Sequence, residues 1–151
     1  MSASERLAEL GLVLPPPIPP VAAYVPAIRS GSFVYTSGQV PLRDGELVAA
    51  GKVGAEVSAE QGYECARVCA LNALSAVDAL VGIDSVVRVV KMLGFVASAP
   101  SFTDQPQVIN GASELLVDVF GDNGRHARSA VGLAVLPLDS PVEVEIVVEV
   151  S

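Results

Sequence analysis

Val142-Glu143-Val144-Glu145-Ile146-Val147-Val148-Glu149-Val150, residues 142–150, carry an apolar residue at every even position. Glutamate holds all but one of the odd ones. A period of two is the signature of a β-strand, in which successive side chains point to opposite faces. One face of this strand is predicted to enter a core, and the other is largely acidic. A strand so patterned needs a sheet beside it and a layer to cover its valines, so the rest of the chain is read for both.

Just upstream, Pro137, Asp139 and Pro141 mark a link, and Ala127–Leu136 reads as a second strand. Before it, Pro106–Phe120 repeats apolar residues at three- and four-residue steps: Val108, Ile109, Ala112, Leu115, Leu116, Val119 and Phe120. That spacing predicts a helix, with Gly121 as its stop. Val86–Val96 is a β-branched run charged only at Arg88 and Lys91, and it predicts a strand covered on at least one face. Glu56–Val81 predicts the other long helix, with Cys65, Cys69, Ala73, Val77 and Leu80 on one stripe and Gly82 at its end. Two strand-like pieces within Val25–Ser37 meet at a turn at Ser30-Gly31, and Arg43-Asp44-Gly45-Glu46 is a further turn. At the start, Ser2 and Glu5 match a capping box for a short helix that Gly11 can end. Pro15–Pro20 reads as an extended arm. The order is strands, helix, strand, helix, strand, strand. It predicts an α/β (α+β) architecture, two long helices lying on one face of a mixed sheet. Nothing in the chain is left to cover the other face, and symmetric copies are the economical cover.

The composition bounds the function. A chain of 151 residues suits one domain with a real core. Apolar residues make up 51% and mean hydropathy is +0.52, generous for a small monomer, which places part of the apolar surface in a subunit interface. A net charge of −8 disfavours nucleic-acid binding that needs a basic face. Glu5 and Glu9 stand where a secretion signal needs basic residues, so a cytoplasmic location is expected. The longest uncharged stretch, Leu10–Ile28, carries prolines at 15, 16, 17, 19, 20 and 26 and cannot form a membrane helix. Cys65 and Cys69 have no further cysteine to complete a metal set, and His126 is the single histidine, so a multi-histidine zinc site is excluded. Both cysteines are expected as buried small apolar side chains.

A few residues can carry chemistry. Arg128 opens an otherwise apolar strand, and burying a permanent charge there demands an anion, either a structural carboxylate or a ligand. Glu143 is either a solvated edge residue or a carboxylate that orients a water. Gly38, in Ser37-Gly38-Gln39, lets backbone approach closely, so neighbouring N–H groups can hold an oxyanion, or the glycine simply makes a turn. Asn110 sits in a helix interior that disfavours it, Tyr24 follows the proline arm, and His126 shares a strand side with Arg128.

Taken together, Tyr24, Ser37-Gly38-Gln39-Val40-Pro41, Val90-Lys91 leading to Phe95-Val96, Asn110, Ala127-Arg128-Ser129, Leu136-Pro137 and Val142-Glu143-Val144-Glu145 resemble the YjgF/YER057c/UK114 (Rid) family. The resemblance runs from about Tyr24 to the C-terminus, which divides the chain into an N-terminal helix and arm (residues 1–23) and a Rid-like domain (residues 24–151). It implies a chorismate-mutase-like fold and a homotrimer with clefts between subunits. It further implies that Arg128 binds a substrate carboxylate, that Glu143 places the attacking water, and that Tyr24, Ser37, Gly38 and Asn110 line the cleft. The implied reaction is hydrolysis of reactive 2-amino-acid-derived imines and enamines, such as 2-aminoacrylate, to 2-keto acids and ammonia, without metal or organic cofactor. The chain departs from the family deaminases at Ala130, where they commonly carry cysteine, and in its N-terminal extension. These departures motivate an alternative, a non-enzymatic trimeric binder of small carboxylate metabolites with a regulatory role. The ribonuclease-like or translation-related activity ascribed to some members is disfavoured by the net charge and the single histidine.

Overall fold

The computed structural model describes residues 1–20 and 22–151. In chain order the elements are helix α1 (Ala3–Glu9), strands β1 (Ala27–Ser30), β2 (Phe33–Thr36), β3 (Leu42–Arg43) and β4 (Glu46–Leu47), helix α2 (Ala59–Val81), strand β5 (Val86–Ala97), helix α3 (Gln105–Phe120), and strands β6 (Ala127–Leu133) and β7 (Val142–Val150). The main sheet has the order β1-β2-β7-β5-β6, and β3 and β4 form a separate hairpin. Only β5 and β6 run parallel, joined through α3 as a strand–helix–strand unit; the other pairs are antiparallel. This is the mixed sheet with two long helices that the periodicities predict.

Strand β7 is the hinge of the architecture. Val142, Val144, Ile146, Val148 and Val150 are buried, and the residues between them are only half-buried. The buried side meets α2 and α3, where Leu74, Met92, Ile109, Leu115, Leu116 and Ile146 are the largest fully enclosed side chains. Truncating any of these leucines to alanine costs about 2–5 kcal/mol. Glycine lets the two helices close up: a Cβ on Gly111 would run into the backbone of Tyr63 on α2. The Tyr63 hydroxyl donates to the Glu114 carboxylate across the same seam, which pushes the phenol up to about 12. Cys65 and Cys69 are both fully buried and unpaired by any disulfide, and burial pushes both thiols up.

Several boundaries differ from the sequence reading for identifiable reasons. Helix α2 starts at Ala59 rather than Glu56, because Ser58 caps it and Gln61 completes the capping box. Glu56 instead accepts from the Lys52 amide at 2.9 Å. Leu80, assigned to the apolar stripe of α2, is 46% exposed in the last turn. Strand β6 ends at Leu133, three residues early, and it lies at the edge of the sheet. At the N-terminus α1 carries the expected capping box on Ser2 and Glu5. It buries Leu7 and docks through Ser4, whose amide and hydroxyl both donate to Asp84. The proline arm then crosses α2, where the Ser75 hydroxyl donates to the Pro15 carbonyl at 2.5 Å.

The second face of the sheet is open. Ile28, Phe33, Tyr35 and Val131 are all more than a third exposed there, with half-buried Leu93, Phe95 and Val147 between them. Among the described residues no helix is long and apolar enough to cross a membrane.

Candidate functional site

The site residues divide into two groups, and the strand register says why. Arg128 pairs with Met92, which pairs with Ile146, so it projects on the helix-covered side. Glu143 pairs with Phe95, which pairs with Val131, so it projects on the open side. Within one chain the two charged groups face away from each other across the sheet.

The Glu143 group is built by a bulge. Tyr35 pairs with Val147, and Gln39 forms the next bridge with Val144. Three residues on one side thus oppose two on the other, and the extra one bends the chain at Ser37-Gly38. Thr36 repairs the ladder by accepting the Ile146 amide on its hydroxyl at 3.0 Å. Asn72 of α2 then pins the following loop, donating to the carbonyls of Val40 and Leu42 at 3.0 Å each. The bulge sets Gly38 directly over the Glu143 carboxylate, and a Cβ there would sit 2.7 Å from Glu143 Oε2. A side chain there would have to displace the Glu143 carboxylate, so glycine lets the two come this close. Tyr24, Gly38 and Glu143 line one cavity of about 260 Å³, together with Ile18 and Pro19 of the arm and Leu138. Burial in these mostly apolar walls, reinforced by Glu145, raises the Glu143 carboxyl above its ordinary range. A carboxylate so placed is a stronger proton acceptor than a solvated one.

Ser37 stands beside the cavity but does not line it. Its hydroxyl donates to the Val25 carbonyl at 2.6 Å and its amide to the Pro26 carbonyl at 2.8 Å. The Gln39 amide donates to Val144 at 2.8 Å. Two of the three amides that the sequence offered for an oxyanion are therefore taken by the chain itself, and Ser37 serves to fix the segment before Pro26.

The Arg128 group lies against α3. One guanidinium nitrogen donates to the Ser113 hydroxyl at 3.0 Å and another to the Pro106 carbonyl at 3.2 Å. Asn110, half-buried, lies on the same helix face, four residues after Pro106 and three before Ser113. His126 is the other neighbour of Ser113. Its Nδ1 lies 2.6 Å from the Gly124 carbonyl and its Nε2 lies 3.0 Å from the Ser113 hydroxyl. A carbonyl only accepts, so Nδ1 carries the proton and Nε2 accepts from Ser113, which in turn accepts from Arg128. Burial, aided by the Arg128 charge, lowers the His126 pKa and keeps the ring in the neutral form that this chain needs. Arg125 instead faces solvent, beside Asp122.

A buried Arg128 would demand an anion. Its protein partners are neutral oxygens, and among the described residues no carboxylate lies within the 4.0 Å of an ion pair. The guanidinium is half-buried at a strand edge, not enclosed in an apolar strand, so its charge is tolerated without a structural counter-ion. Ser113 and Leu138 do not stand out in the sequence as site residues, and Ile18 and Pro19 stand out only as part of the arm. Leu138 lies between Pro137 and Asp139 in a link of turn formers, which is its one signal in the sequence.

Comparison with known proteins fits this geometry. Residues 4–150 match the family model described as "YjgF/chorismate_mutase-like, putative endoribonuclease", so the match takes in most of α1 and the arm as well as residues 24–150. The protein TCP17 of Trypanosoma cruzi is 45% identical over 148 residues, covering 97% of this chain and 92% of TCP17. A crystal structure titled "putative endoribonuclease" from Shewanella oneidensis superposes with a TM-score of 0.95 at 31% identity, covering 99% of this chain and 100% of that one. E. coli TdcF, solved with bound serine, superposes with a TM-score of 0.65 at 25% identity over 90% of this chain and 94% of its own. A match over nearly the whole chain, with the mixed sheet and helices of these neighbours, makes this chain a member of the YjgF/chorismate-mutase-like family.

Proposed function

We propose that the chain hydrolyses reactive imines and enamines of 2-amino acids to 2-keto acids and ammonia, in a cleft where Arg128 of one copy faces the Glu143 cavity of another. The observation that carries this reading is Arg128 itself, a guanidinium aimed by two neutral oxygens and, among the described residues, matched with no carboxylate. Two of the three N–H groups left suit the planar, two-pronged contact that a carboxylate makes. E. coli TdcF, with serine bound, offers a relative that holds an amino-acid ligand. The oligomer is a homotrimer in this proposal, closed through the open sheet face around Ile28, Phe33, Tyr35 and Val131.

The chemistry is light. An enamine is first protonated at C3 to give the iminium, whose C2 is already electrophilic. Arg128 fixes the carboxylate, and Glu143 takes a proton from the water that attacks C2. The resulting carbinolamine collapses as the C2–N bond breaks: the Glu143 proton passes to the leaving nitrogen, and the C2 hydroxyl proton, taken up by Glu143 as the C=O forms, leaves with ammonia as ammonium. Water and iminium give keto acid and ammonium, so nothing is oxidised or reduced. Positioning and one general base suffice.

The test adds the protein to a lyase that releases 2-aminoacrylate and follows ammonia and pyruvate. Faster release that Arg128→Ala and Glu143→Gln both abolish supports the reading. No acceleration with any of several amino-acid imines overturns it. Ala130, in place of the cysteine of family deaminases, favours a second reading, a carboxylate-metabolite binder without turnover. Calorimetric binding of a keto acid that Arg128→Ala abolishes, with no turnover of any imine, would establish that one. The endoribonuclease wording of the family name finds no support in a chain of net charge −8 whose one histidine is held between Gly124 and Ser113.

A further inference from the structure

Two parts of the chain distant in sequence meet the Glu143 cavity with apolar side chains. The arm supplies Ile18 and Pro19, and the link before β7 supplies Leu138. Each is held there by something specific. The arm is anchored three residues before Ile18, where the Pro15 carbonyl accepts the Ser75 hydroxyl of α2. Leu138 adopts φ +63° and the next residue, Asp139, φ +58°, in the left-handed region that non-glycine residues avoid. Leu138 is also 70% exposed. A large aliphatic side chain that is strained and yet left in the open has no packing reason for its conformation. Strain of this kind collects where a ligand is held. Beyond the carboxylate of Glu143 and the phenol of Tyr24, the surface around these three side chains is mostly apolar.

We propose that Ile18, Pro19 and Leu138 form a side-chain subsite next to Glu143, which selects 2-imino and 2-keto acids with a branched aliphatic side chain over those with a methyl or a carboxymethyl side chain. The inference rests on the reading of Arg128 and Glu143 as the two ends of one carboxylate site. Arg128 fixes the substrate carboxylate, C2 lies at Glu143, and the remaining substituent of C2 then needs a wall. An apolar wall gains from each added methylene by about tenfold in the binding constant. Glu143 beside that wall repels a second carboxylate. The arm therefore belongs to the site rather than serving only as a tether.

The test measures calorimetric binding of 4-methyl-2-oxopentanoate, pyruvate and oxaloacetate to the full chain and three variants. The expected result is at least tenfold tighter binding of 4-methyl-2-oxopentanoate than of pyruvate, with oxaloacetate weakest. Ile18→Ala and Leu138→Gly should each lower that preference by about threefold to tenfold while leaving pyruvate within twofold. Leu138→Gly suits the left-handed backbone and should melt no lower than the parent, so loss of selectivity there is not loss of fold. Equal binding of the three acids, or a preference untouched in both variants, overturns the subsite and leaves the carboxylate site standing. Arg128→Ala distinguishes the deeper failure. If it leaves all three affinities unchanged, the reading of the carboxylate site falls and the subsite falls with it.

Discussion

The two ends of the candidate site are made in opposite ways. At the Glu143 end the backbone does the shaping: a bulge at Ser37-Gly38, an arm pinned to α2 and a strained Leu138 enclose a carboxylate in mostly apolar walls. At the Arg128 end an edge strand presents a charge, and side chains do the aiming, through Ser113 and His126. One end is walled and has its pKa shifted by burial, and the other is half-open and aimed by hydrogen bonds. The lesson is that neither end is a site alone. A lone buried carboxylate has no means of choosing a substrate, and a lone edge arginine has no chemistry. In the proposed assembly, the sheet that separates them within one chain becomes their common boundary.

The contrast can be broken or sharpened in order of expected effect. Glu143→Gln should lower kcat for imine hydrolysis on the order of 10²–10⁴-fold, the range for loss of a general base. Its keto-acid affinity should stay within about threefold, since the carboxylate is held elsewhere. If affinity falls as far as rate, Glu143 is a binding residue and the division fails. Arg128→Ala should act on binding as well, weakening keto-acid affinity by about 100-fold, the worth of two charge-assisted hydrogen bonds, and abolishing imine hydrolysis with it. Arg128→Lys should recover only part of this, because an ammonium cannot bind in a two-pronged way. Ser113→Ala should weaken keto-acid binding by about tenfold with no change in the rate of the bound substrate, and Ser113→Thr, which keeps the hydroxyl, should restore it. The smallest effect is on stability. Glu143 has a raised pKa in the folded chain, so its contribution is most favourable below the ordinary glutamate range and is lost as pH rises through the raised value. Glu143→Gln should therefore melt a few degrees higher than the parent at pH 7–8, and thermal scans should show the gap closing toward pH 4.

Much of this was legible in the residues. The alternation of 142–150 and the three- and four-residue steps of 106–120 act at short range, so their elements appear within a residue or so of expectation. The ends of α2 and β6 were less so. A cap at Ser58 outweighs helical periodicity upstream, and apolar residues past Leu133 do not prolong an edge strand that lacks a second neighbour. Arg128, Glu143, Gly38 and Tyr24 were visible because charge, glycine and aromatic residues stand out from an aliphatic background. That Arg128 and Glu143 lie on opposite faces was not visible, since it depends on the pairing register of three strands. Ser113 and the arm residues were hidden for a related reason. A serine on a helix and a proline in a tether have ordinary local meanings, and only long-range packing gives them a place at the site.

The account turns on the two faces being joined between copies, and a complementation experiment tests that directly. Arg128→Ala and Glu143→Gln chains, each folded and each inactive alone, are unfolded together in equal amounts, refolded and assayed for imine hydrolysis. If sites form head to tail between copies, about one interface in four pairs an intact Arg128 with an intact Glu143, so activity should return to about a quarter of the parent value. Activity that stays at the level of the separate variants, in mixed assemblies shown to contain both chains, would contradict a site shared between subunits.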